Sequence, residues 1–141
     1  PILYSQEERS FWLGYTFLKK GGNELYFSVH ESSGDWSNAQ TGNQNEINPL
    51  EYNLYTGVAD ASNQGILLYV NGKLVEKNNW DGTFFGKSLK ATVGVRNPNW
   101  ETQMRGNIDA IIDEVRLYNR ALSADEVKEL YLFTSAFPPA E

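Results

Sequence analysis

Three of the four tryptophans stand among residues that turn the chain and form hydrogen bonds: "GDWSN" surrounds Trp36, "NNWDG" surrounds Trp80 and "NPNWE" surrounds Trp100. An indole offers a flat apolar face, and neighbouring amides and carboxylates supply donors and acceptors. A sugar ring needs that combination, since its C–H face stacks on an aromatic ring while its hydroxyls pair with polar side chains. Trp80 has Asn78, Asn79 and Asp81 beside it, and Trp100 has Asn97, Asn99 and Glu101. The competing use is packing, because an indole folded back over the end of a sheet stabilises by about 1.5–3 kcal/mol through burial. The expectation carried forward is that Trp80 and Trp100 lie on loops at one end of the fold, with at least one indole face open to solvent.

Asp109 and Asp113 are candidates for a structural calcium ion, which takes hard oxygen ligands from carboxylates, carbonyls and water. In the alternation of "IIDEVRLYN", Asp113 shares a side with Val115 and Leu117. A carboxylate on a packed face needs a partner. A backbone N–H, Arg116 or Arg120 would serve as well as an ion. His30, the single histidine, falls on the polar side of its strand and reads as a surface residue with no nucleophile patterned around it. Glu46 and Glu51 sit in or beside a polar loop, without the strand-borne alternation of carboxylates that would make a glycosidase pair. The residues therefore point to binding, not catalysis.

The elements that must position these residues are mostly strands. "SFWLGYTFL" places Phe11, Leu13, Tyr15 and Phe17 on one face, and "NELYFSVHE" does the same with Leu25, Phe27 and Val29, the two joined by the turn "KKGGN". Residues 31–53 are rich in Ser, Gly, Asn and Gln and read as a long loop carrying Trp36. "NLYTGVAD" is a strand, and "GILLYVNGKLV" is a hairpin turning at Asn71-Gly72, a pair that accepts the positive backbone angles of a type I′ turn. "SLKATVGVR" and "IIDEVRLYN" alternate again. Ser123 and Glu126 in "SADE" make a capping box that opens a short helix over 124–131, and Pro138 and Pro139 fall in an irregular tail. The class is all-β: an antiparallel two-sheet jelly-roll sandwich with one short C-terminal helix, the domain covering residues 1–133 and the tail 134–141.

The 141 residues suffice for one core, and their formal net charge of −6 comes without a basic stripe, which disfavours nucleic acid and anionic membranes. No segment reads as a signal peptide or a membrane-spanning helix, and cysteine is absent.

Two stretches resemble a known family. "IIDEVRLYNRALSADEVKELY" is similar to the closing segment of the laminin-G-like jelly-roll domains in the concanavalin A-like lectin and glucanase superfamily, and "GVADASNQGILLYVNGKLV" is similar to the family's middle hairpin. The resemblance implies a non-catalytic, extracellular or cell-surface module of a bacterial protein whose partner is a glycan or cell-surface polysaccharide. For such a role the loop chemistry offers Trp80, Asn79, Asp81, Trp100, Asn99 and Trp36 as the ligand contacts, with Asp109 and Asp113 the candidates for Ca2+. Beside the family's pattern the chain reads as a jelly roll lacking its first strands. The alternative expectation is thus a structural subunit of a surface assembly, its open edge covered by a second protein chain or a neighbouring copy.

Overall fold

The computed structural model describes residues 2–6, 11–17, 23–41, 47, 51–84, 91–93 and 111–136. Its strands are β1 (Ile2–Gln6), β2 (Phe11–Phe17), β3 (Asn23–His30), β4 (Trp36–Gln40), β5 (Tyr55–Asp60), β6 (Gly65–Val70), β7 (Lys73–Asn79) and β8 (Ala91–Val93), followed by helix α1 (Ala124–Ala136). They form an antiparallel five-stranded sheet in the order β4-β3-β2-β1-β8 and a three-stranded sheet in the order β5-β6-β7. β1 is paired on both sides, to β2 and to β8. The alternation expected for β2 and β3 is realised as a seven-pair register from Phe11 opposite Val29 to Phe17 opposite Asn23.

The sheets pack face to face. Leu25, Phe27, Val29 and Ala39 from the larger sheet meet Ile66, Leu68 and Val70 from the smaller one, with Ile47 and Trp80 completing the cluster. Alternate side chains of β5 and β6 point the other way, where Val58 and Tyr69 pack against Leu122 and Val127. The smaller sheet is therefore covered on both faces, by the larger sheet and by α1.

Asn71 and Gly72 both take positive φ, 52° and 74°, as the hairpin reading requires. Asn71 also ties the hairpin to the chain entering β5. Its Oδ1 accepts the Leu54 N–H at 2.9 Å, its own N–H donates to the Leu54 carbonyl at 2.9 Å, and its Nδ2 donates to Asn53 Oδ1 at 3.0 Å.

The capping box forms as read: Glu126 Oε2 accepts the Ser123 N–H at 2.8 Å and Ser123 Oγ accepts the Glu126 N–H at 3.2 Å. The helix continues to Ala136, past the expected end at Tyr131 and into the stretch assigned to an irregular tail. Nothing between Leu132 and Ala136 breaks a helix, and the first residue that cannot continue one is Pro138. Residues 137–141 lie outside the described set.

Arg120 grips the Glu126 carboxylate with two donors at 2.6 and 2.9 Å, and this pairing, with the Ser123 N–H, lowers the pKa of Glu126 from its ordinary 4.5 to about 2. A carboxylate held lower in the folded state stabilises above its ordinary pKa, and that contribution disappears as pH falls through the lowered one. Far-UV circular dichroism is expected to show α1 weakening as pH drops from about 4.5 towards 2, with Glu126→Gln removing most of that dependence. A wild-type helical signal unchanged across this window would mean that the box does not hold the helix start.

One expected strand is not formed. Residues 111–118 carry the alternation of "IIDEVRLY" yet take no strand conformation, and Ile111, Val115 and Leu117 are 75, 52 and 64% exposed. The backbone is turned aside locally: Glu114 adopts φ 54°, Asp113 Oδ1 accepts the Glu114 N–H at 2.8 Å, and Arg116 pairs with the Glu114 carboxylate. Side-chain to backbone bonds of this kind compete with a ladder, and a strand without a partner has no ladder to offset them.

Candidate functional site

Residues 31–53, read as loop, contain strand β4, whose polar sequence "WSNAQ" alternates through Trp36, Asn38 and Gln40 on one face and Ser37 and Ala39 on the other. Ala39 is fully buried in the core, so the first set faces outward. In register these residues stand opposite His30, Ser28 and Tyr26 of β3. Directly opposed residues share a face, and a ladder results. His30 stacks on Trp36 with ring centroids 4.4 Å apart and planes within 10°, Ser28 Oγ donates to Asn38 Oδ1 at 2.5 Å, and Tyr26 lies beside Gln40. Asn38 and Gln40 are exposed, Trp36 and Tyr26 half-buried.

His30 is consequently not the surface residue expected. It is 7% exposed, covered by the Trp36 ring, with its Nε2 beside the Gly34 carbonyl at 3.1 Å. Trp36 belongs to a strand and not a loop, and its stacking on His30 fixes how the indole is presented.

At the end of the ladder the β3–β4 turn meets the loop that follows β7. Ser32 donates its N–H to Thr83 Oγ1 at 3.1 Å, and the two hydroxyls lie 2.8 Å apart. Asp81 Oδ1 accepts both the N–H and the hydroxyl of Thr83, at 2.7 and 2.6 Å. Ser37 Oγ donates to Glu31, and Ser33 Oγ lies 3.4 Å from both Glu31 Oε2 and Asp35 Oδ2. Three carboxylates and the hydroxyls of Ser32, Ser33 and Thr83 thus border the Trp36 end of the ladder, and none is arranged as a proton-transfer pair. The arrangement can stack a ring and pair with its hydroxyls.

The structure distributes the expected site residues unevenly. Trp80 is in the core: 3% exposed, packed in the main cluster, its Nε1–H donating to the Thr83 carbonyl at 2.8 Å and its ring 4.8 Å from that of Phe84. Its indole face is not open to solvent. The polar neighbours that suggested sugar contact instead close the turn, Asp81 through Thr83 and Asn79 through its N–H to Asn78 Oδ1 at 2.8 Å. Among the described residues, only Trp36 and Asp81 of the expected set border this ladder, Asp81 being linked to the β3–β4 turn through Thr83 and Ser32. Trp100, Asn99 and Asp109 lie outside the described residues. Asp113 is exposed on the irregular stretch, with its carboxylate on the next N–H, so the packed-face placement is corrected. Among the described residues no three His, Cys, Asp or Glu side chains gather as a metal site, and Asp113 on its own is not the donor set calcium needs. Glu51 is exposed, and Glu46 lies outside the described residues. Ser28, Asn38 and Gln40 were missed, although the W-x-N-x-Q spacing carries the period of a strand.

Compared with known proteins, residues 1–128 match the laminin-G model of the concanavalin A-like lectin/glucanases superfamily. No curated protein matches the chain. Among solved structures, an S-layer domain-containing protein from Clostridium thermocellum is similar at 20% identity and a TM-score of 0.49, covering 93% of this chain, which spans 64% of that one. No helix among the described residues is long and apolar enough to cross a membrane.

Proposed function

The chain belongs to the concanavalin A-like lectin/glucanases superfamily, and from that premise we propose that it is a non-catalytic carbohydrate-binding module acting outside the cell or at its surface. The observation that supports this is the outward ladder of β3 and β4, where Trp36 is held flat on His30 beside the exposed amides of Asn38 and Gln40. A pyranose ring stacks on the indole, and the amides and the bordering hydroxyls pair with its hydroxyl groups. Glu31, Asp35 and Asp81 give this border a negative field, so the ligand is a neutral or amino-bearing polysaccharide and not a uronate or sulfated one.

Affinity gel electrophoresis against neutral, amino-bearing and acidic polysaccharides tests the reading. Trp36→Ala is expected to weaken retardation by about tenfold or more, the order of one aromatic stacking contact, while the melting temperature moves by only a few degrees. Unchanged retardation by the variant, or preference for acidic polysaccharides, would overturn it. Running the gels with added calcium and with chelator tests the ion proposed for Asp109 and Asp113.

A second reading, a structural subunit of a surface assembly contacting a partner chain or neighbouring copy, is favoured by Leu132 and Phe133, which stand 55 and 58% exposed on α1. Sedimentation over a wide concentration range separates the two, because only the assembly reading requires self-association or a protein partner.

A further inference from the structure

We propose that the Trp36 platform is one end of a linear track along β4, and that its ligand is a stretch of about three consecutive sugars in an unbranched, uncharged polysaccharide. The inference rests on the carbohydrate-binding reading above and settles what one stacked ring leaves open, whether a single sugar or a chain is recognised. The track follows from the period of the strand. Trp36, Asn38 and Gln40 alternate with Ser37 and Ala39, and Ala39 is fully buried in the core, so the three share the outward face of β4. Same-face residues of a strand recur about every 6.6 Å, which sets Gln40 about 13 Å along the strand from Trp36, with Asn38 midway. A pyranose on the Trp36 indole comes within reach of the Asn38 amide, and Gln40 lies a second interval beyond it. Gln40 takes part only if the sugar chain continues along the strand.

The middle of the track is the most closely specified. Ser28 Oγ donates to Asn38 Oδ1 at 2.5 Å, which engages the oxygen of the amide and turns its NH2 group away from Ser28. The backbone is held at the same residue, because the Asn38 carbonyl accepts from Asn78 Nδ2 of β7 at 3.0 Å. Asn38 is thus an exposed donor on a fixed strand, and what it lacks is an acceptor: a hydroxyl, linkage or acetamido-carbonyl oxygen one interval along from the stacked ring. A donor fixed in advance loses little freedom on binding. Gln40, also exposed, carries both a donor and an acceptor and pairs with a hydroxyl in either sense. Charge then selects the chain. Glu31, Asp35 and Asp81 gather at the Trp36 end, whereas Asn38, Gln40 and the residues opposite them, Ser28 and Tyr26, include no carboxylate, lysine or arginine. A polysaccharide with a negative charge on its sugars is repelled at one end and unmatched along the rest, while an uncharged one meets a ring face followed by two amides.

Titration calorimetry with glucose, mannose and N-acetylglucosamine, and with the β-1,4-linked trimer and hexamer of each, reads the length of the track, and the matching polymers, hydroxyethyl cellulose, mannan and glycol chitin, are run in affinity gels. For at least one sugar the trimer is expected to bind about tenfold or more tighter than the monomer, with the hexamer within about threefold of the trimer. Gln40→Ala is expected to weaken that trimer by about threefold to tenfold, the order of one hydrogen bond, and to leave the monomer unchanged. Asn38→Asp keeps the size of the side chain but replaces its donors with an acceptor, and is expected to cost about tenfold. Both side chains are exposed, so the melting temperature of either variant should stay within a few degrees of wild type. Equal affinity for monomer and trimer, with Trp36→Ala still abolishing binding, overturns the track and leaves a site for one sugar. Affinity that climbs more than about tenfold from trimer to hexamer overturns it as well, because the contacts would then extend beyond β4. So does retardation by a polymer whose trimer and hexamer do not bind. Free migration through all three gels, with no heat from any of the sugars, instead removes the carbohydrate-binding reading and the track with it.

Discussion

Replacing Trp80 with alanine is expected to lower the melting temperature by about 10 °C or more, the largest effect of any single substitution considered. The indole is 3% exposed and belongs to the same buried cluster as Leu25, Phe27, Val29, Ile66 and Leu68. Truncating a buried tryptophan to alanine typically costs about 3–5 kcal/mol, the lost transfer energy plus the cavity left behind, and each kcal/mol moves the melting point of a chain this long by about 3 °C. Two further bonds depend on the ring and its backbone: Nε1–H on the Thr83 carbonyl at 2.8 Å, and the Trp80 N–H on the Gln64 carbonyl at 2.9 Å, which continues the β6–β7 pairing by one residue. Trp80→Phe keeps much of the volume and should retain more than half of the lost stability. Thr83 also holds the β3–β4 turn through Ser32, so Trp80→Ala will weaken polysaccharide binding as well. Thermal denaturation is therefore the measurement that discriminates. A variant melting within a few degrees of wild type while losing ligand would return Trp80 to direct contact with sugar.

The contrast between Trp80 and Trp36 shows what the sequence could and could not reveal about the site. Both have polar neighbours, and those neighbours report local chemistry only: Asp81 closes a turn onto Thr83 in one case, and Asn38 lies on a strand in the other. Which way an indole points is decided by residues distant in the chain, Leu25 to Val70 for Trp80 and His30 for Trp36. β4 escaped detection for a related reason. Ala39 is its only buried hydrophobic residue, so composition gave no sign of a core face, and the strand is specified by pairing with β3. His30 illustrates the same dependence, since alternation placed it on the polar face of β3 without showing that a tryptophan would cover that face.

Features whose cause is local were legible. Asn71-Gly72 fixes its own turn through backbone angles that few other pairs adopt, and Ser123 with Glu126 closes the helix start within four residues. The two-sheet class followed from alternation in β2, β3, β5 and β6, where the apolar period is strong enough to define a face. Alternation in 111–118 is just as regular, yet the period of a sequence defines a potential strand, and only a neighbouring edge makes it one.

Gly57→Ala is expected to destabilise by about 1–3 kcal/mol, the usual cost of overpacking a core, lowering the melting temperature by about 3–9 °C. A glycine inside a strand is ordinarily a weakness, since it packs nothing and has the most conformational freedom to lose. Here it stands in the middle of β5 because of what faces it. A Cβ at position 57 would lie 2.4, 2.5 and 2.8 Å from three ring carbons of Phe27, well inside van der Waals contact. Phe27 has no room to withdraw: it is 5% exposed, sits in β3 opposite Leu13 of β2 and Ala39 of β4, and belongs to the same cluster as Trp80 and Leu68. The clash is with a rigid ring and not with the end of a flexible chain, so relief must come from separating the sheets or turning the ring off its rotamer. Shortening the ring's side chain should supply that relief. Phe27→Leu alone will destabilise by leaving a void, whereas in the Gly57→Ala background it should cost less, giving a favourable coupling of about 1 kcal/mol in a double-mutant cycle. Additive losses in that cycle would show that the two residues do not meet, and with that the face-to-face packing of β5 against β3 would have to be redrawn.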